Sequence, residues 1–231
     1  MRDIRTITID LDDTLWAIHP VIERAERQLH DWLRDHYPRI TEMFTPDSIF
    51  ELREKVVSEN PGQSHDFTFL RRTVLGRLGI AAGYGDGLVD DAMAVFSTMR
   101  NDVEVFPEVR PTLTILGRHY CVIAVTNGNA NLDHIGIGDL FHKVISAASA
   151  GAAKPARRIF EAAVQAGGAA ADQTLHVGDH PEVDIMGARD AGLKSVWVNR
   201  YGHEWPDYLQ RPDGIVKDVG ELLSLLGVTA R

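Results

Sequence analysis

The sequence holds a single cysteine, Cys121, so no disulfide can close within the chain, which suits a reducing compartment. Cys121 stands in the apolar run 120–125 and reads as a small buried core residue. No apolar run approaches the roughly 18–20 residues needed to cross a bilayer. The first residues lack the basic-then-apolar pattern of a secretory signal, so a cytoplasmic location is expected. Basic residues are the minority, with 24 Lys and Arg against 33 Asp and Glu and a formal net charge of −9. That balance argues against nonspecific binding to nucleic acid or to anionic membranes. It leaves a phosphorylated small molecule open as partner, because one local cation reverses the field. Ten histidines are present, yet no spacing among them makes a zinc set. His134, His142 and His176 therefore read as structural. Internal repeats are lacking, and residues 147–153 are the only low-complexity hint, a loop of small residues. Nothing in the pattern decides between a monomer and a homodimer.

What the sequence does contain is an ordinary globular balance, 44% hydrophobic and 25% charged over 231 residues. This is enough for one large domain, or for a core with an insertion. Near the start, residues 5–9 form a short β-branched run that reads as a buried strand. Asp10, Asp12 and Asp13 follow within four positions. Carboxylates clustered at the end of an apolar strand repel one another and are costly to desolvate, so a divalent cation is the expected compensation. Side chains two apart on an extended chain leave on the same side, so Asp10 and Asp12 can face one site. One could attack while the other handles a proton. The plainer reading is an acidic turn with Asp13 or Thr14 as a helix cap.

After this turn the period becomes helical. Pro20–Tyr37 is the first such stretch. Pro46, after the cap Thr45, opens a second that runs to about Ser58. A third covers about Ser64–Leu78, with Phe67, Leu70, Val74 and Leu78 inward and Gly79 at its end. Leu88–Arg100 is the fourth. Four helices without an intervening strand predict a small bundle inserted over 16–104, with Thr14–Ile18 and Val103–Pro107 as hinges. From Pro111 short apolar strands alternate with helices. The strands are expected at Cys121–Thr126, Val144–Ser146, Leu175–Gly178, Ser195–Asn199 and Ile215–Val216. The helices are expected at Thr112–Arg118, Ala156–Gly167, Asp184–Ala191 and Val219–Leu226. Such alternation predicts an α/β fold, a doubly wound parallel sheet built from 1–15 and 105–231.

In such a sheet the site lies beyond the carboxyl ends of the strands. Four groups of polar residues fall there: Asp10 with Asp12, Thr126-Asn127-Gly128-Asn129, Lys154-Pro155, and Gly178-Asp179 with Asp184. Thr126 and the amides after it can donate to phosphate oxygens. Lys154 is a point charge able to neutralise both a phosphoryl group and Asp10. Asp179 and Asp184 can complete a hard-cation site with Asp10. Each has a bland counterpart: a plain Asn-Gly turn, a surface lysine, and Asp184 as a helix cap. Their convergence on one edge favours the chemical reading.

These pieces, in this order, resemble the haloacid dehalogenase superfamily of phosphatases: Asp10-Leu11-Asp12-Asp13-Thr14-Leu15, Val125-Thr126-Asn127-Gly128, Lys154-Pro155 followed by Ile159-Phe160, and Gly178-Asp179 with Asp184. They span 10–184, and the helical insertion resembles the superfamily's first type of cap domain. The resemblance implies a Rossmann-like core and an Asp10 nucleophile that becomes an aspartyl-phosphate. It implies that Asp12 is general acid and then base, its backbone carbonyl on Mg²⁺. Thr126 and the Asn127 amide would hold the phosphoryl group, and Lys154 would orient Asp10. Asp179 would ligate Mg²⁺, with Asp184 supporting the metal through water or the loop. Val183 stands where many relatives carry Asn, and His180 where Ser or Asp is common, which touches the outer metal contacts only.

A looser likeness is to bacterial members that act on FMN and phosphoribitylaminouracil. It rests on Leu15-Trp16 through His19-Pro20-Val21-Ile22, the Arg71-Arg72 region and Asn127-Gly128-Asn129-Ala130. It implies a small phosphorylated metabolite as substrate. Trp16 could then stack on a flat ring and Arg71 or Arg72 could meet an anionic or carbonyl-rich group, with His19 beside them. The counter-reading packs Trp16 into the hinge and leaves both arginines solvated. Alternatives are a phosphatase of sugar phosphates or phosphoglycolate, a phosphotransferase or mutase, and a 2-haloacid dehalogenase. The last makes an ester with carbon and does not need the second acid, Asp12.

Overall fold

The computed structural model describes residues 1 and 3–228 and divides into two compact units, Met1–Ala17 with Glu104–Arg231, and Ile18–Val103. The first unit is built on a six-stranded sheet. Its strands are β1 (Thr6–Ile9), β2 (Cys121–Thr126), β3 (Lys143–Ser146), β4 (Thr174–Gly178), β5 (Lys194–Val198) and β6 (Gly214–Val216), in the order β3-β2-β1-β4-β5-β6 with every pair parallel. The α/β parallel fold expected from the alternation is present. Central strands β1 and β4 are buried along their whole length, which is why their sequences run apolar or β-branched rather than alternating.

The second unit carries five helices, α1 (His19–His36), α2 (Pro38–Met43), α3 (Pro46–Glu59), α4 (Phe67–Ala81) and α5 (Val89–Arg100). The short α2 was not expected. Its six residues show no helical stripe of their own, and only Ile40 is buried. Pro46 does open α3 after a Thr45 cap, whose side chain accepts from the Ser48 amide at 3.3 Å. Gly79 does not end α4. The helix runs through it, and a Cβ there would lie 2.2 Å from the Gly85 carbonyl oxygen and 2.7 Å from Leu88. Close approach, not termination, requires glycine. Phe67, expected inward, is exposed, whereas Val74 and Leu78 join the core of this unit with Leu29, Leu33 and Phe96.

The first unit continues with α6 (Val109–Leu116), α7 (Leu132–Ile135), α8 (Ala147–Ala150), α9 (Arg157–Gly167), α10 (Gly187–Asp190) and α11 (Leu222–Leu226). The single helix expected over 184–191 is instead a π-helical turn, Pro181–Met186, followed by α10. Its cap is His180, not Asp184. The His180 Nδ1 accepts from the amides of Glu182 and Val183, both at 3.2 Å. Asp184 is thereby released to turn inward, and π-helical turns are frequent where a side chain must be re-aimed at a functional site.

Candidate active site

Strand register decides what can meet. Ile9 pairs with Ala124 of β2 on one side and with Val177 of β4 on the other, so the residues just past these three strands share one edge. The strand order reverses direction between β1 and β4, which makes this the topological switch point where ligands bind in open parallel sheets. Asp10 leaves β1 with its amide donating to the Val177 carbonyl at 2.9 Å. Asp13 then adopts φ 62, a left-handed turn that Asp tolerates better than most residues. The turn closes with the Asp13 amide on the Trp16 carbonyl at 2.8 Å and the Leu15 amide on the Leu11 carbonyl at 2.8 Å.

Four charged side chains converge here. Lys154 is buried and its Nζ donates to both Asp10 Oδ1 and Asp184 Oδ1, the latter at 2.6 Å. Oxygens of Asp10, Asp179 and Asp184 lie within 4.8 Å of one another. Thr14 bridges two of them, its hydroxyl placed 3.2 Å from Asp10 Oδ2 and 3.3 Å from Asp179 Oδ1. Thr14, expected as a possible cap and as the start of a hinge, was given no place in the acidic cluster, although its position four after Asp10 is a local signal. Asp184 also accepts from the His180 amide at 3.0 Å. It reaches this place because Gly178 has no side chain, since a Cβ there would meet the Asp184 Cγ at 2.4 Å.

Electrostatics follow from three acids around one base. Burial pushes Asp10 well above the ordinary carboxylate range, with Lys154 opposing and Asp184 and Asp179 adding to the rise. Burial, then Asp184 and Asp13, push Asp179 up to about 7. Burial raises Asp184 too, but Lys154 and the His176 contact outweigh it and hold this carboxyl well below its usual range. Burial alone would lower Lys154, yet its two carboxylate partners raise it further than burial depresses it. His176 is depressed, chiefly by burial. Three carboxyl groups around one ammonium, an oxygen-only donor set, fit a hard divalent cation such as Mg²⁺, which Asp10, Asp179 and Asp184 would hold. The Asp12 side chain is not part of that triad.

Asp12 has its Oδ1 2.9 Å from the Trp16 indole nitrogen, which donates to it. Trp16 has no exposed surface, so the expectation that it offers a stacking face is corrected: packing in the turn claims the ring. Thr126 is buried with its Oγ1 accepting from the Gly128 amide at 2.9 Å, which closes the turn past the end of β2. Asn127 pins the Lys154 loop, accepting from the Lys154 amide at 2.6 Å and donating to its carbonyl at 3.0 Å. Trp197 donates from its indole to the Asp179 carbonyl at 2.6 Å and meets Trp205 edge to face. No local signal marks that contact, because it depends on the β4–β5 register.

The remaining expected residues lie in the helical unit and do not join a common cluster there. His19 is exposed beside Glu23 at 3.2 Å. Arg71 donates to Glu26 at 2.9 Å and stacks on Phe96, and Arg72 pairs with Asp90 at 2.6 Å. Arg71 is thus engaged inside the bundle rather than solvated or presented to a ligand.

Fold and site together define a class, an α/β protein with a lysine-held acidic cluster at the switch point of its sheet. The chain belongs to the haloacid dehalogenase-like hydrolase family, which matches residues 4–192, and it is a hydrolase of that family. It is 31% identical over 199 residues to the 5-amino-6-(5-phospho-D-ribitylamino)uracil phosphatase YigB of Escherichia coli (strain K12), covering 84% of this chain and 83% of that one. It is 26% identical over 237 residues to the glyceraldehyde 3-phosphate phosphatase of Pyrococcus furiosus, covering 98% and 94%. Among solved structures, a 2-haloacid dehalogenase from Pseudomonas syringae pv. Tomato DC3000 superposes with a TM-score of 0.92 at 36% identity, over 97% of this chain and 98% of that one.

Proposed function

We propose that the protein is a Mg²⁺-dependent phosphatase that hydrolyses a small phosphomonoester through an aspartyl-phosphate on Asp10. The observation that carries this reading is the buried Lys154–Asp10 contact beside the Asp179–Asp184 pair. A carboxylate so held is oriented as a nucleophile, and its surroundings are charged to receive a phosphoryl group and a cation. Asp10 attacks phosphorus and the bond to the alcohol oxygen breaks. Asp12 gives that oxygen its proton, then takes a proton from the water that splits the acyl-phosphate. Trp16 fixes the Asp12 side chain for both transfers. Thr126 shapes the turn whose amides, with that of Asn127, would face the phosphoryl oxygens, and Lys154 offsets their charge. When bound, Mg²⁺ supplies further positive charge opposite those oxygens.

For substrate we favour FMN or phosphoribitylaminouracil, supported by the likeness to the E. coli enzyme. The relatives that act on glyceraldehyde 3-phosphate support a small sugar phosphate as the alternative. A dehalogenase reading has the P. syringae structure in its favour, and Asp12 against it. The deciding experiment is a hydrolysis panel with and without Mg²⁺: FMN, phosphoribitylaminouracil, glyceraldehyde 3-phosphate, phosphoglycolate, glucose 6-phosphate and 2-chloropropionate. Phosphate release from FMN or phosphoribitylaminouracil at the highest kcat/KM is the expected result. A preference for small sugar phosphates removes the substrate assignment and keeps the phosphatase. Chloride release without phosphate release removes both.

A further inference from the structure

Strand β4 carries a polar side chain that the chemistry above does not use. His176 has no exposed surface and sits two residues before Gly178. A buried parallel strand ordinarily places an aliphatic residue there, and an imidazole needs partners to be tolerated. It has them on both sides. Its Nδ1 is 2.9 Å from Thr8 Oγ1, and its Nε2 is 3.2 Å from Asp184 Oδ1. Phe160 packs edge-on to the ring, with centroids 5.1 Å apart. Thr8 and His176 are register partners across the β1–β4 joint, so this polar pair bridges the two strands that flank the switch point.

The hydrogen bonds fix the tautomer. Ionised Asp184 can only accept, so Nε2 must carry a proton. In the neutral ring Nδ1 is then a lone-pair acceptor and the Thr8 hydroxyl donates to it. The competing acceptor for that hydroxyl, the Leu175 carbonyl, is farther away at 3.4 Å. Asp184 Oδ1 thus takes one hydrogen bond from His176 and one from Lys154, whose other contact is Asp10. A continuous chain runs Thr8, His176, Asp184, Lys154, Asp10.

We propose that Thr8 and His176 are positioning residues: the Nε2–H of His176, its ring held in place by Thr8, keeps the Asp184 carboxylate in the rotamer that aims Lys154 at Asp10. The inference rests on the reading of Asp10 as nucleophile. Partners one step removed from a site typically contribute about 10–100-fold. His176→Leu should therefore lower kcat toward p-nitrophenyl phosphate in Mg²⁺ about 10–100-fold, with KM changed less than about threefold. His176→Gln keeps a donor near the Nε2 position and should recover most of that loss. Thr8→Val, which removes only the hydroxyl, should lower kcat a few-fold without moving Tm.

One readout is independent of turnover. Ring ¹⁵N NMR of the full chain in chelator should show His176 protonated on Nε2 and bare on Nδ1, in wild type and in Asp10→Asn alike. A failure of the nucleophile reading would appear as activity in Asp10→Asn and would leave this spectrum untouched. An Nδ1–H tautomer overturns the proposal. So does a Gln variant no better than Leu, or a Leu variant with wild-type kcat and only a lower Tm. If the Leu variant fails to fold, Thr8→Val decides, and an unchanged kcat there overturns the proposal.

Discussion

Each unit of this chain buries a small cluster of charge, and the two are built in opposite senses. In the α/β unit one lysine is surrounded by three carboxylates, with Lys154 and Asp184 side chains each 2% exposed. In the helical unit one carboxylate, Glu26, is held by two arginines, Arg53 and Arg71, each at 2.9 Å. Glu26 is partly exposed and Arg53 more so, so water solvates the surplus positive charge. Burial would raise Glu26, but Arg71 and then Arg53 outweigh it and hold its carboxyl below the usual range. The helical cluster is satisfied as it stands. The core cluster is not, since burial and mutual repulsion push the carboxyls of Asp10 and Asp179 above their ordinary range. An unbalanced, dry, acidic cluster calls for a cation and marks chemistry. A wet one, whose surplus charge water solvates, marks packing.

A cavity of about 480 Å³ in the helical unit, with Leu29, Leu33, Val74, Leu75 and Leu78 in its wall, reaches Glu26 and Arg53. Its size suits a small molecule. Its charged residues are already paired, Glu26 with Arg53 and Arg71, Arg27 with Glu23 and Asp31 with Arg34, so size and chemistry point to different units, and chemistry carries the assignment.

The comparison breaks first if Asp10 is dispensable. Asp10→Asn should abolish phosphate release while circular dichroism and Tm stay near wild type, because the amide can still accept from Lys154. Residual turnover at the wild-type rate would end the mechanism.

Asp12→Asn comes next. General acid help is worth about 10²–10⁴-fold, so an alkyl phosphate should lose that much. Single-turnover phosphoenzyme formation from an aryl phosphate, whose leaving group needs less help, should suffer less. Equal losses with both substrates would remove Asp12 from the acid role.

The metal sharpens the contrast between the clusters. Asp179 and Asp10 have folded pKa values above their unfolded ones. In chelator each favours the folded state while protonated, and Asp179 loses that advantage as pH rises through about 7. Mg²⁺ needs them ionised, so the Tm gain it confers should be small at about pH 5.5 and grow toward about pH 8. Chelation should stop turnover, Mg²⁺ should restore it, and Ca²⁺ should bind but support little catalysis. A Tm gain independent of pH would detach the metal from these carboxylates.

The smallest effect belongs to the helical cluster. Glu26→Gln leaves two arginines facing each other across a half-wet site. It should cost about 1–2 kcal/mol in urea unfolding, between the values for exposed and buried pairs. kcat should change less than about twofold, well under the effect of a general acid. A loss of turnover comparable with that of Asp12→Asn would erase the distinction between the two clusters.

The sequence by itself determined the order of the strands and of the longer helices, the strand bounds of β2 at Cys121–Thr126, and the gathering of Asp10, Thr126, Lys154, Asp179 and Asp184 on one sheet edge. These are readable because local periodicity sets an element, and parallel topology sends every strand's carboxyl end the same way. Only the tertiary structure decided which side chains became partners. Lys154 meets Asp10 across 144 positions, and His176 meets Thr8 across 168. Trp197 donates to the Asp179 loop across 18 positions. Such pairings depend on strand register and on where glycines let backbones close. No short window of residues encodes either, because both arise from segments distant in the chain.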